Sequence, residues 1–176
     1  NPIRPVAYRN GVRYVEDFNT IQTDDTGIEI KKQGVYLITG GLGGIGIEMA
    51  KYLATQNRVK LVLIGRAGLP PHESWSGISK EESKQAEKIR VLLEIEQSGS
   101  RVLVISADVS NPVQMEKAII EVHEKSGKID GVIHCAGIAG EGFLFKKEED
   151  TFINVLRPKI QGTWILDRLT REDTPD

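Results

Sequence analysis

A single cysteine, Cys135, in 176 residues excludes any internal disulfide and fits a reducing cytoplasm. No apolar run approaches the roughly 20 residues of a membrane-spanning helix, and no charged-then-apolar leader opens the chain. The sequence is therefore read as cytoplasmic, with no membrane partner. Basic excess is missing too: 23 Lys and Arg stand against 25 Asp and Glu, for a formal charge of −2 and a pI near 6.0. That balance argues against a nucleic-acid partner. No metal-ligand set, internal repeat or low-complexity tract is present. The chain opens on Asn1 rather than Met, so it is expected to be an excised or processed piece of something larger.

What is there suffices for one domain with a sizeable core. Two alternating runs, Val6-Ala7-Tyr8-Arg9 and Val12-Arg13-Tyr14-Val15, flank Asn10-Gly11 and predict a β-hairpin, because both turn positions need positive φ. Residues 19–33 are polar and read as a linker. From there the pattern alternates. Short apolar runs at 35–39, 60–64, 102–107 and 131–135 predict strands buried on both faces. Helical spacing occupies about 44–56, 80–98, 112–127 and 149–170. In the first helix Ile45, Met49, Leu53 and Ala54 share a face. In the last, Phe152, Val155, Leu156, Ile160, Trp164 and Ile165 keep one stripe. This order predicts an α/β fold with a doubly wound, Rossmann-like parallel sheet, preceded by the hairpin. The charges between Lys80 and Lys88 alternate in sign like a solvated helix face. Residues 67–79 form a long insertion whose Trp75 either packs onto the domain or touches a ligand.

The candidate site begins with Thr39-Gly40-Gly41-Leu42-Gly43-Gly44-Ile45-Gly46, between the first long strand and the first helix. Such a turn holds a dinucleotide pyrophosphate: Gly40 permits the tight turn, Gly44 lets the backbone approach the phosphates, and Gly46 allows close helix–sheet packing. The helix N-terminus adds free N–H groups and a positive dipole end. Gly65-Arg66 follows the second strand, about twenty residues on, where a carboxylate would bind a free ribose 2′-hydroxyl. A guanidinium there suits a 2′-phosphate and favours NADPH over NADH, unless Arg66 is only a surface charge. Asp108 either accepts from an adenine amino group, with Val109 bordering the ring, or caps the turn before Ser110-Asn111-Pro112. Ala136 and Gly137, after the fourth strand, are small enough for backbone to pass a cofactor ribose. His134 reads as a satisfied core histidine rather than a catalytic base. Cys135 has nothing nearby to activate it as a nucleophile.

These motifs together resemble the short-chain dehydrogenase/reductase superfamily, and within it the ketoreductase domains of modular polyketide synthases and of hybrids with peptide synthetases. Carrying the resemblance are the Thr39–Gly46 turn, Asp108-Val109, Gly131-Val-Ile-His-Cys-Ala-Gly-Ile138, and Val155-Leu-Arg-Pro-Lys159-Ile-Gln-Gly162-Thr163. Residues 6–15 resemble the end of the structural subdomain that precedes the catalytic half. The resemblance thus divides the chain into 1–33, tail of that subdomain plus linker, and 34–176, the cofactor-binding part of the catalytic domain. It implies NADPH-dependent reduction of a β-ketoacyl thioester carried on the phosphopantetheine of an acyl carrier protein, with other domains of the same synthase as neighbours. Lys159 matches a lysine that contacts the nicotinamide ribose and lowers the pKa of a catalytic tyrosine. The family's serine, tyrosine and asparagine are expected beyond Asp176, so this segment alone is expected to be inactive. None of Tyr8, Tyr14, Tyr36 and Tyr52 has Lys or Asn four residues later. Arg157 and Lys146-Lys147 read as solvated or as contacts for the phosphopantetheine. The Leu-Asp-Asp stereochemical signature is absent, Ala139-Gly140-Glu141 standing in its place, with Glu141 a variant acidic marker. Two other readings stand beside this one: a catalytically silent nucleotide-binding subdomain of a megasynthase, and an independent reductase of a free ketone.

Overall fold

The computed structural model describes residues 5–21, 27, 29–140 and 142–175. Glu141 and much of the 19–33 linker (22–26 and 28) lie outside the described residues.

The hairpin forms as its turn dictates. Strands β1 (Val6–Arg9) and β2 (Val12–Val15) pair antiparallel, with Arg9 opposite Val12. Asn10 and Gly11 take φ of 50° and 76°, the left-handed pair that a two-residue hairpin turn requires. Every residue of both strands is exposed.

The remaining strands form one parallel sheet. They are β3 (Val35–Thr39), β4 (Lys60–Gly65), β5 (Arg101–Ser106) and β6 (Gly131–His134), in the order β5-β4-β3-β6. All of β3 and the middle of β4 are buried, which is why these strands read as unbroken apolar runs. The pleat splits them cleanly. Val35, Leu37, Val62 and Ile64 face one core, with Met115, Ala118, Ile119 and Val122 of α4 (Pro112–Ser126) and Ile165 and Leu166 of α6 (Thr163–Thr170). Tyr36, Ile38, Leu61 and Leu63 face the other. They pack there on Ala50 and Leu53 of α1 (Gly44–Gln56) and on Ile89, Leu92 and Ile95 of α3 (Lys84–Gln97). Helices on both faces make the sheet doubly wound. Each fully buried Leu or Ile contributes roughly 1.5–3 kcal/mol by leaving water.

Local sequence sets the helix starts. Asn111 accepts from Val113 and Gln114 N–H at 3.1 Å each, and Pro112 supplies a fixed φ in the first turn. Ser83 accepts from Ala86 N–H at 3.1 Å, so α3 starts at Lys84 and not at residue 80. In the insertion, Trp75 is buried in α2 (Trp75–Ile78), its indole N–H donating to the Pro70 carbonyl at 2.9 Å. Packing, and not ligand contact, is its role.

Two expected stripes are corrected. The inward face of α1 is Gly46, Ala50 and Leu53, while Ile45 is 73% exposed. Small residues at that spacing let the helix lie close to the turn before it. The expected helix over 149–170 is broken into α5 (Glu149–Arg157), a π turn (Pro158–Gly162) and α6. Pro158 lacks the N–H that would continue an α-helix, and a π turn shifts the phase of everything after it. The stripe therefore does not share one buried face: Ile165 is buried, whereas Phe152, Ile160 and Trp164 are exposed.

Candidate nucleotide site

Parallel pairing puts the ends of β3, β4, β5 and β6 on one edge of the sheet. In an open α/β sheet the ligand crevice lies there, where strand order reverses, here between β3 and β6. A cavity of about 720 Å³ occupies that edge.

The glycine turn forms one wall through Thr39, Gly40, Leu42 and Gly43. Gly40 has φ 65°, and a Cβ on it would lie 2.8 Å from the Ala136 nitrogen. Its N–H donates to the Ile64 carbonyl at 2.7 Å, tying the turn to β4. A Cβ on Gly46 would meet the Gly40 carbonyl oxygen at 2.4 Å. Gly46 thus packs on its own turn rather than against the sheet. Close approach to the sheet belongs to Gly41, whose Cβ would lie 2.7 Å from that of Leu63. Around Gly44 a Cβ would meet nothing within 4 Å, and no side chain caps the N-terminus of α1 at Gly43. Open space above uncapped N–H groups fits a pyrophosphate.

Gly65 and Arg66 line the cavity after β4, Asp108 and Val109 after β5, and Ala136 and Gly137 after β6. The structure therefore brings most of the expected site residues to one place. Gly44, Ile45 and Gly46 lie in the first turn of α1 beside it, outside the lining. Lys159 is exposed and also outside the lining, although its neighbour Pro158 is part of it.

Asp108 serves its turn: Oδ1 accepts from Ser110 N–H at 2.8 Å, while Asn111 rather than Asp108 caps α4. Cys135 lines the cavity, and burial raises its thiol pKa above the ordinary value, away from nucleophilic use. His134 is satisfied at both ring nitrogens, by Thr39 Oγ1 at 2.5 Å and the Pro158 carbonyl at 2.8 Å. None of the tyrosines lines the cavity.

The sequence reading missed Lys88, Asn154 and Gln161, and took Arg157 for solvated or carrier-facing; all four line the cavity. Lys88 was hidden in a charge pattern typical of a solvated helix. Its signal was its place one residue before Ile89 on α3, whose face at 86, 89 and 92 is buried. Among the described residues no ion pair neutralises Arg66 or Lys88. No group of three potential metal ligands occurs among them, and no helix is long and apolar enough to cross a membrane.

Fold and site together define a Rossmann-type nucleotide-binding domain. Its family follows from comparison with known proteins: the KR domain family matches residues 34–176. Polyketide synthases PksL and PksM of Bacillus subtilis are 37% and 35% identical to this chain over 96% and 97% of its length. The chain spans only 4% of the length of each. Among solved structures, a ketoreductase domain from the bacillaene assembly line superposes with a TM-score of 0.74 at 30% identity, covering 95% of this chain and 36% of its own. An N-terminal ketoreductase from the macrolactin assembly line gives 0.71 at 31%, covering 94% and 30%. The chain belongs to the ketoreductase domains of polyketide synthases, within the short-chain dehydrogenase/reductase superfamily.

Proposed function

We propose that this chain forms the NADPH-binding part of a ketoreductase that reduces a β-ketoacyl thioester on an acyl carrier protein to the β-hydroxyacyl thioester. The observation that carries the cofactor choice is Arg66: an unpaired guanidinium on the same cavity as the glycine turn, where an NADH site would present a carboxylate. Lys88 on that cavity adds a second cation for a phosphate of nearly two charges.

The chain's residues divide the binding work. The turn from Thr39 to Gly46 and the first N–H groups of α1 hold the pyrophosphate. Asp108 has one oxygen in its turn, which leaves Oδ2 to accept from the adenine amino group beside Val109. Ala136 and Gly137 leave room for the ribose. Lys159 contacts the nicotinamide ribose, and its charge lowers the pKa of the tyrosine that protonates the forming alkoxide. Bound cofactor supplies the hydride. With no tyrosine along the cavity, the 176-residue segment alone binds cofactor without reducing substrate.

The test is reduction of a carrier-bound β-ketoacyl thioester by the ketoreductase domain that contains this chain. The proposal expects NADPH-dependent turnover that falls when the carrier is replaced by a small thiol ester. Equal turnover of free ketones would favour an independent reductase. Cofactor binding without turnover would favour a silent subdomain.

A further inference from the structure

We propose that His134 is a positioning residue: through the Pro158 carbonyl it fixes the π turn that carries Lys159. This rests on the role assigned to Lys159 above.

The hydrogen bonds around His134 fix its tautomer. Thr39 is 1% exposed, and its Oγ1 accepts from the Ala136 N–H at 3.3 Å. The hydroxyl proton is then free to donate to His134 Nδ1 at 2.5 Å. With Nδ1 accepting, Nε2 carries the proton and donates to the Pro158 carbonyl at 2.8 Å. A one-way chain thus runs from the end of β6, through the end of β3, to the π turn.

That carbonyl sits where the helix is weakest. Pro158 has no N–H to give, so the ladder is already interrupted there. At the far end of the turn, the Thr163 N–H bonds the Ile160 carbonyl, and the Thr163 hydroxyl bonds the Lys159 carbonyl at 2.6 Å. Side chains therefore hold the carbonyls of both Pro158 and Lys159. Gly162 makes the approach possible: a Cβ there would lie 2.9 Å from Val109 Cγ1 and 3.6 Å from His134 Cε1. Pro158 and Gly162 are buried and Lys159 between them is exposed. The turn is held at its start by His134 and at its far end by Thr163, and it presents Lys159 directly after the held Pro158 carbonyl, so where its ammonium sits depends on the His134 bond.

The experiment uses the intact ketoreductase domain that carries this chain, with three variants. His134→Gln keeps an N–H donor near the Nε2 position, His134→Asn keeps only the reach of Nδ1, and Lys159→Met removes the charge. In the cofactor-free wild type, the imidazole nitrogen NMR spectrum should show Nε2 protonated and Nδ1 bare. In the pH–rate profile, Lys159→Met should move the tyrosine's ionisation to higher pH. His134→Asn should move it the same way with about a ten-fold loss of kcat, and His134→Gln should restore the wild-type profile. A protonated Nδ1, or a profile that shifts for Lys159→Met but not for His134→Asn, overturns the inference alone. A profile unmoved by Lys159→Met overturns the Lys159 assignment and this inference with it.

Discussion

Gly46 lies so close to Gly40 that a Cβ on Gly46 would stand 2.4 Å from the Gly40 carbonyl oxygen, whereas the same atom on Gly44, two residues earlier, would meet nothing. One motif thus contains a glycine the fold needs and a glycine left open for a ligand. Gly46→Ala should lower the melting temperature and abolish cofactor binding. Gly44→Ala should leave the melting temperature within a few degrees of wild type and weaken cofactor binding about ten-fold or more. Thermal unfolding with and without cofactor separates them.

Thr39→Val removes the hydroxyl that joins Ala136 N–H to His134 Nδ1 in a buried position. Both half-buried groups lose their partner, a cost of about 1–3 kcal/mol. Thr39→Ser keeps the hydroxyl and should lose less. Urea denaturation of the two variants checks the order.

Cys135 is the one cysteine, so thiol chemistry reports on the cavity directly. Burial raises its pKa, so the folded protein holds the neutral thiol to higher pH than the unfolded chain does. Alkylation should be slower than for a free thiol at neutral pH, and bound NADPH should slow it further. The sign for stability follows: this contribution is full below the unfolded thiol's pKa and is lost as pH rises through the folded value. Cys135→Ser should flatten the alkaline fall in stability.

The strands and the glycine turn were legible because local chemistry fixes them. Asn10-Gly11 specifies its turn, Asn111-Pro112 its helix start, and the runs at 35–39 and 60–64 their burial. What escaped depends on partners distant in sequence. The π turn needs the proline at 158 but also His134 from β6, 24 residues earlier. Lys88 reaches the cavity only because α3 packs on the sheet face beside β5. The inward face of α1 was misread at Ile45, because small Gly46 and Ala50, with no hydrophobic signal of their own, are the residues that pack.

Titration of NADPH and NADH against wild type, Arg66→Ala and Lys88→Ala reads directly whether Arg66 selects the cofactor. The wild type should bind NADPH roughly 10–100-fold tighter than NADH, the worth of charge-assisted bonds to one phosphate. Arg66→Ala should erase most of that preference and leave NADH binding unchanged, with Lys88→Ala doing so in part. Equal affinity for the two cofactors in wild type, or a preference indifferent to Arg66, would show that this guanidinium does not bind a 2′-phosphate.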